Sequence, residues 1–503
     1  MPDLRRALFL VHRWLGVVLC AFFAMWFVSG VVMMYVGYPK LTEAERLHHL
    51  PALRSDAAML GPRAALDAAG IAGPLQSLRL SAASGGRAVY VAVAASGKRS
   101  VVIDATTGAV LRDVDAARAL ASAAAFAGQG VAVRDLGTVD EDAFTHSRAL
   151  DAHRPLHRLQ LGDSDDTRVY VSGTTGEVVR DATGSERRWN YVGAWIHWLY
   201  PFRGNVFDRA WSGIVEWLSI AGIALTLTGT VVGVMRWRFT GRYKSGARSP
   251  YRGFMMRWHH VTGLLFALVT LTWIFSGLMS MNPWRIFDSG APTLRTEAMN
   301  GGPLQIGAND ALPLRLLGTS KAGGSGGVGL GDVRELRWIR VAGRTLVLSV
   351  GDGGRPALRD AASAAPATID PVALRAAAAQ LMTAPVARID VLLAYDTHYY
   401  ARDAHTMTGG SEKPLPVWRV VFADTHATWV HVDPQTGAVV GRTDSSRRAS
   451  RWLFAMLHSW DWLPLLMHRP LWDAVMLLLS VGGAALSLTG VVIGWRRLGR
   501  KLR

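Results

Sequence analysis

Four apolar stretches without charged residues are the clearest pattern in the chain. They are Val17–Val36, Trp217–Met235, Val261–Met281 and Ala474–Trp495. Each is about 20 residues long, which an α-helix needs to cross roughly 30 Å of hydrocarbon. A soluble helix of that length would normally carry a polar face, and these stretches carry none. The pattern therefore predicts four transmembrane helices.

The two long segments between these stretches have the pattern of small α+β units. Strand-like alternation or apolar runs occur at Arg87–Ile103, Arg168–Val179, Leu336–Val350 and Trp418–Val432. Several of these runs end in a turn that contains Thr-Gly, in which glycine would supply the positive φ of a hairpin. Alanine-rich stretches at Ala116–Ala127 and Val372–Met382 predict helices that pack on the sheets.

Two internal repeats run through the chain, each at a constant offset. The first relates His12 to His259, Gly16 to Gly263, Ser29 to Ser276 and Gly30 to Gly277. The second relates His197 to His458, Gly229 to Gly490, Gly233 to Gly494 and Arg236 to Arg497. We therefore expect two similar halves, about 1–242 and 248–503. A pseudo-two-fold axis along the membrane normal would relate them, as in other parallel repeats.

The net charge of +17 is concentrated at the ends and in the middle of the chain. Because basic loops stay cytoplasmic, both termini and the middle loop are predicted inside. The arginines of the basic termini and of the basic middle loop flank membrane stretches, so the basic composition does not indicate nucleic-acid binding. The lipid bilayer is the expected environment. The predicted division is transmembrane helices at 1–37, 211–236, 258–281 and 471–495, periplasmic domains at 38–210 and 282–470, a basic cytoplasmic loop at 237–257 and a basic cytoplasmic tail at 496–503.

Several motifs together resemble a known family. They are the His-Arg-Trp-Leu-Gly sequence before the first membrane stretch, the x-Asp-x-x-Thr-Gly-x-Val hairpins, the Trp452–His458 segment, and Leu-Thr-Gly shortly before the basic residues that follow a membrane stretch. In order and duplication they resemble the PepSY-associated transmembrane helix family of bacterial inner-membrane proteins. The resemblance implies a membrane α-helical bundle of four transmembrane helices in two pseudo-symmetric halves, with periplasmic α+β PepSY-like domains. It also implies an activity like that of the family's di-haem reductases of iron–siderophore complexes.

Two features depart from the family pattern. Tyr191–His197 is a looser version of the segment that ends in His458, and the matching hairpin of the first half lacks the Asp-Pro of the second.

Four of the fifteen histidines lie at the ends of predicted membrane helices. Polar residues at such positions are costly and therefore functional candidates. His12 and His259 lie at the cytoplasmic ends, whereas His197 and His458 precede the second and fourth helices on the periplasmic side. A haem iron with two imidazole ligands takes one from each side of the ring, as a two-fold axis would supply. We predict two b-type haems, an inner one held by His12 and His259 and an outer one held by His197 and His458.

Glycines accompany the inner histidines at the same predicted depth. Gly16 and Gly263 lie one turn after them, and Gly229 and Gly490 lie on the other two helices. A flat porphyrin needs small residues on the helices that cross its face, so these glycines are predicted to line a haem cleft. The alternative is direct helix–helix packing through small residues.

Other assignments remain open for the ligands. The four histidines could instead be interfacial polar residues that cap helices. His260 or His468 could replace a predicted ligand, although His260 matches Arg13 and His468 matches Phe207 in the repeats. Three arginines near the predicted outer haem could pair with its propionates. They are Arg203, Arg209 and Arg469.

Other chemistries find little support in the sequence. The single cysteine, Cys20, allows no disulfide within the chain. There is no C-x-x-C-H motif for covalent haem and no iron–sulfur ligand set. No Ser-His-Asp, thiol–His or H-E-x-x-H arrangement occurs at useful positions, so the sequence does not support hydrolysis.

Three functions are consistent with the sequence. The first is an inner-membrane di-haem b oxidoreductase that takes electrons from quinol or a cytoplasmic reductase and reduces a periplasmic ferric chelate, such as an iron–siderophore. The second is a membrane-anchored PepSY binding or regulatory module without redox activity. The third is a metal or siderophore permease, for which few membrane charges offer a polar pathway. No catalytic residue is assigned.

Overall fold

The computed structural model describes residues 2–54, 58–97, 99–318, 333–353, 355–402 and 413–500, so residues 501–503 of the predicted basic tail lie outside it. The helices are α1 (Pro2–Met33), α2 (Glu43–His49), α3 (Pro62–Ala68), α4 (Ala116–Ala127), α5 (Gly184–Asn190), α6 (Trp211–Arg236), α7 (Phe254–Leu265), α8 (Ala267–Ser280), α9 (Thr296–Asn300), α10 (Pro313–Gly318), α11 (Pro371–Ala378), α12 (Ser445–Arg451), α13 (Leu463–Leu466) and α14 (Leu471–Gly499).

The strands, in chain order, are β1 (Leu75–Ser84), β2 (Arg87–Ala94), β3 (Ser100–Asp104), β4 (Val133–Val139), β5 (Leu156–Leu161), β6 (Arg168–Ser172), β7 (Val178–Ala182), β8 (Val333–Val341), β9 (Arg344–Gly351), β10 (Ala357–Asp360), β11 (Val386–Leu392), β12 (Val417–Phe422), β13 (Trp429–Val432) and β14 (Val439–Thr443). They lie in the two long segments between the membrane stretches, as the alternating patterns predict. The alanine-rich helix expected at Ala116–Ala127 is α4, and the one expected from Val372 is α11.

The membrane part contains three helices that are long and apolar enough to cross a bilayer, among the described residues. They are α1, α6 and α14. The third apolar stretch forms α7 and α8, which meet at an angle of 67° and make a fourth crossing if they act as one span. The single continuous helix expected there is thus a bent pair.

The bend at Phe266 coincides with a close packing contact to α14. The Phe266 ring lies against Gly482 of α14, where a Cβ atom would be only 2.1 Å from the ring. Only a glycine on α14 allows the ring to insert at this depth. Kinks normally occur at Pro, at Gly or Ser pairs, at a π-bulge or where a side chain inserts; no Pro lies near Phe266, and Gly263 lies three residues earlier.

One six-stranded antiparallel sheet contains strands from both long segments. Its strand order is β10-β9-β8-β1-β2-β3. Strands β1 and β8 pair in the middle, with Leu78 opposite Trp338 and Leu80 opposite Leu336. These side chains are buried together with Tyr90 in one hydrophobic core. The pairing therefore joins the two long segments through a shared sheet.

Two four-stranded sheets complete the region, with orders β4-β5-β6-β7 and β11-β12-β13-β14. Helix α4 packs on the first and α11 on the second. The glycines of the Thr-Gly turns adopt positive φ, as predicted: +75° at Gly108, +74° at Gly176 and +70° at Gly437. The turn that begins at Ser172 has this serine where the turn at Gly108 has Asp104. Oγ of Ser172 accepts hydrogen bonds from two backbone N–H groups of its turn, as Oδ1 of Asp104 does in the other turn.

A buried carboxylate ties the shared sheet to α2. Glu335 on β8 is fully buried and accepts hydrogen bonds from Arg46 (2.9 Å), Arg79 (3.4 Å) and Arg337. Burial alone would raise the pKa of Glu335, but these three guanidinium groups outweigh it and hold the pKa at about 2. Because Arg46 and Arg79 belong to the first long segment, the ion cluster reinforces the β1–β8 junction.

Candidate functional site

The inner pair of histidines meets between α1 and α7. The ring centroids of His12 and His259 are 6.3 Å apart and their planes are inclined by 36°. Nδ1 of His12 donates to the carbonyl oxygen of Leu225 on α6 (3.3 Å), and Nδ1 of His259 donates to that of Leu486 on α14 (3.2 Å). A carbonyl oxygen can only accept, so each neutral ring has its lone pair on Nε2.

The outer pair repeats this arrangement with serines as acceptors. The centroids of His197 and His458 are 6.2 Å apart, with planes inclined by 76°. Nδ1 of His197 is 3.0 Å from Oγ of Ser29, and Nδ1 of His458 is 3.0 Å from Oγ of Ser276. Both serine hydroxyls donate to helix carbonyl groups, so they accept from Nδ1. These rings also have their lone pair on Nε2.

The spacing within each pair suits two imidazoles that share one metal ion. Metal–imidazole bonds of about 2.0–2.1 Å put the centroids of two opposed rings roughly 6 Å apart. A haem iron needs only two such ligands from the protein. No group of three or more His, Cys, Asp or Glu side chains able to hold a metal ion occurs among the described residues.

A π-helical turn precedes each outer histidine. These turns, Tyr191–Trp195 and Trp452–Met456, are a feature that sequence reasoning missed. Such turns insert an extra residue into a helix and often occur at functional sites. Beyond each histidine, a tryptophan at the start of the next helix fixes the chain: Trp211 donates to the carbonyl oxygen of Trp198 (2.7 Å) and Trp472 to that of Ser459 (2.9 Å).

The inner histidines open into a cavity of about 670 Å³ that Gly16, Gly229, Gly263 and Gly490 also line. This volume lies within the roughly 300–1,000 Å³ usual for cofactor sites. A Cβ atom at Gly229 would be 2.6 Å from Cε1 of His12, and one at Gly490 would be 2.5 Å from Sγ of Cys20. At Gly16 and Gly263 the nearest atoms would be 3.7 and 3.4 Å away. Of these four glycines, only Gly229 and Gly490 are so close to a neighbouring side chain that an added methyl group would force it to shift.

The outer histidines open into a second cavity of about 380 Å³, which Gly30 and Gly277 also line. No Arg, Lys, Asp or Glu lines it among the described residues. Thr270 of α8 lines both cavities. Phe23 lines the inner cavity and Trp26 the outer one, with their ring centroids 6.1 Å apart. The two cavities therefore approach each other at Thr270 and at the contact between Phe23 and Trp26.

His260 and His468, the two alternative ligands, form hydrogen bonds outside the histidine pairs. His260 donates from Nε2 to the carbonyl oxygen of Gly233 (2.8 Å) and accepts at Nδ1 from Ser249 (2.8 Å), so its lone pair is used. His468 is exposed, and its Nδ1 donates to the carbonyl oxygen of Pro464. The structure thus brings His259, and not His260, to His12.

The three arginines proposed for the outer propionates do not line the outer cavity. Arg469 forms an ion pair with Asp473, and the guanidinium group of Arg203 lies 5.1 Å from the rings of both Tyr200 and Trp211. Arg209 is also absent from the residues that line it.

Apolar helices of membrane-spanning length, joined to a sheet-rich region, define a membrane protein. The family profile of the PepSY-associated TM region matches residues 9–315, more than half of the chain. The chain therefore belongs to the PepSY-associated TM family, and the resemblance drawn from its motifs is confirmed. A comparison with curated proteins gives no match.

Proposed function

We propose that the chain is a di-haem b electron-transfer protein of the bacterial inner membrane. The observation that carries this proposal is the repetition of one spacing, with ring centroids 6.3 Å apart in one histidine pair and 6.2 Å apart in the other. His12 and His259 would hold the inner haem, and His197 and His458 the outer one. In each of the four rings the hydrogen bond at Nδ1 fixes the tautomer that has its lone pair on Nε2, the nitrogen that would bind iron.

The two proposed haem levels lie far apart along α1. His197 contacts Gly30, which follows His12 by 18 residues, or roughly 27 Å at 1.5 Å per residue. That distance is close to the thickness of the hydrocarbon layer. The protein would therefore carry electrons from one membrane face to the other.

The matched contacts favour two pseudo-symmetric halves. Ser29 accepts a hydrogen bond from His197 as Ser276 does from His458. The indole N–H groups of Trp211 and Trp472 donate to backbone carbonyl groups at equivalent positions of the two halves. In this proposal the bent pair α7–α8 is the fourth transmembrane crossing. Both termini are cytoplasmic, and the domains of 38–210 and 282–470 are periplasmic and PepSY-like.

The proposed reaction is the reduction of a periplasmic ferric chelate, such as an iron–siderophore. The bound haems would supply a one-electron iron couple, and quinol or a cytoplasmic reductase would be the electron donor. The chain's own part would be to hold each iron by two imidazoles, orient those rings through Nδ1, and enclose the cofactors in the two cavities between the helices. Reduction of Fe(III) to Fe(II) weakens binding by a hard-oxygen chelator, because such ligands prefer the more highly charged ion.

Absorption spectroscopy of the purified full-length protein tests the proposal. A Soret band that shifts on dithionite reduction, with two haems per chain, is expected. His12→Ala and His197→Ala should each lose about one haem, whereas His468→Ala, at an exposed histidine, should retain both. A colourless protein from haem-replete cells would contradict the proposal and leave the membrane-anchored module without redox activity.

A further inference from the structure

Five arginines line the inner cavity, and all five are exposed, which places them at its mouth. They are Arg13, Arg236, Arg496, Arg497 and Arg500. They come from the basic ends of α1, α6 and α14. No aspartate or glutamate lines this cavity within the part of the chain that the structure describes. The outer cavity has no arginine or lysine in its described lining. The two cavities therefore differ sharply in charge, although their histidine pairs are alike.

These arginines lie on the cavity faces of their helices. On α14, Gly490, Gly494 and Arg497 follow one another at helical spacing, and all three line the cavity. On α6, Gly229, Gly233 and Arg236 do the same. The rule that basic residues stay cytoplasmic requires no particular helix face. A general preference for cytoplasmic charge therefore does not account for their convergence.

Within the part of the chain that the structure describes, no carboxylate balances the positive charge at this mouth, and Arg236 lies 4.9 Å from the centroid of the Phe9 ring. None of the five arginines forms an ion pair with an acidic side chain among the described residues. Like charges that converge on one opening repel each other, and an anionic group between them would relieve that repulsion. Guanidinium groups bind carboxylates in a planar, bidentate manner.

We propose that this arginine collar (Arg13, Arg236, Arg496, Arg497 and Arg500) binds the propionate carboxylates of the inner haem and orients the ring with its carboxylates toward the cytoplasmic mouth. The inference rests on the proposed function. Arg236 and Arg497 are its principal members, because each lies two turns beyond a glycine that contacts an inner-site side chain. Charge-assisted hydrogen bonds of this kind are about twice as strong as neutral ones.

The test uses full-length His197→Ala protein, which would retain only the inner haem. In this background Arg236→Gln with Arg497→Gln should accelerate the transfer of haem to apomyoglobin at least tenfold. Arg236→Lys with Arg497→Lys, which preserves charge, should have a smaller effect. Arg257→Gln is the matched control, because Arg257 is an exposed cytoplasmic-end residue of α7 outside the cavity lining. It should leave the transfer rate unchanged.

Two further measurements make the outcome decisive. In the His12→Ala background, which would retain only the outer haem, the same double Gln change should not alter haem transfer. Haem dimethyl ester, which lacks free carboxylates, should bind apo-protein of the His197→Ala background at least tenfold more weakly than haem. Equal haem and ester affinity, or an unchanged transfer rate in the double Gln variant, would overturn the collar while leaving the di-haem proposal intact. A haem-free wild-type protein would overturn both.

Discussion

Gly229 on α6 lies so close to His12 on α1 that a Cβ atom in its place would be 2.6 Å from Cε1 of the imidazole ring. The carbonyl oxygen of Leu225, one turn earlier on α6, accepts from Nδ1 of the same ring. Helix α6 thus holds the ring at its edge and gives it one acceptor. His12 is therefore fixed by a helix to which it does not belong.

Replacement of Gly229 by alanine should impair the inner site selectively. The added methyl group would push the His12 ring away from α6, and we expect at least a tenfold loss of inner-haem affinity. Gly213→Ala, near the other end of α6, is the matched control, because a Cβ atom there would have no neighbour within 4 Å and Gly213 lines neither cavity. Haem content measured in the His197→Ala background checks the prediction. Equal haem retention by the two alanine variants would contradict it.

Loss of the serine hydroxyl groups should weaken the outer site. Ser29 and Ser276 fix the tautomer of His197 and His458 by accepting from Nδ1. Removal of such orienting partners typically costs about 10–100-fold in metal affinity, and we expect that range for Ser29→Ala. Haem transfer and the reduction potential of the outer haem, in the His12→Ala background, are the measurements.

Ser29→Thr retains the hydroxyl group and should recover most of the outer-haem affinity. A potential and affinity that stay unchanged in Ser29→Ala would show that this hydrogen bond does not orient His197.

A second steric prediction does not depend on haem. A Cβ atom at Gly490 would be 2.5 Å from Sγ of Cys20, so Gly490→Ala overpacks the α1–α14 contact. Such overpacking typically costs about 1–3 kcal/mol of the free energy of unfolding. Cys20→Ala removes the sulfur and should partly rescue Gly490→Ala. Thermal unfolding of the four proteins of this double-mutant cycle checks the coupling, and additive effects would contradict it.

The internal repeats allowed the histidine partners to be predicted. A constant offset relates His12 to His259 and His197 to His458, and these rings do meet in the structure. Their use as haem ligands stays a prediction. The sequence predicted four glycines at the inner site without ranking them. Sequence spacing cannot show that a side chain lies very close to Gly229 whereas Gly16 has more room around it. That difference depends on how neighbouring helices cross.

Long-range packing set the features that sequence patterns did not indicate. At the bend, the Phe266 ring packs on Gly482, more than 200 residues away, and the local sequence does not indicate that contact. The β1–β8 pairing depends on complementary faces such as Leu80 and Leu336, whereas alternation indicates a strand and not its partner. The cavity-facing role of Arg236 was hidden because basic residues at a helix end already have an explanation in membrane topology.

The buried carboxylate at the β1–β8 junction makes stability depend on pH. Because the pKa of Glu335 is lowered from 4.5 to about 2 in the folded protein, its stabilising contribution is complete above the unfolded pKa. It is lost as the pH falls from about 4.5 toward 2. Glu335→Gln should cost about 3–5 kcal/mol at neutral pH, since it leaves Arg46 and Arg79 without this partner.

The measurement is thermal unfolding of the full-length protein in detergent, followed by the β-sheet circular dichroism signal from pH 7 down to pH 3. Between pH 5 and 3 the Tm of the wild type should fall more steeply than that of Glu335→Gln, which has no carboxylate to protonate. Asp390→Asn, in the exposed Arg388–Asp390 pair, should behave as the wild type, because solvent screens that pair. Parallel pH profiles for wild type and Glu335→Gln would show that the ion cluster does not stabilise the shared sheet.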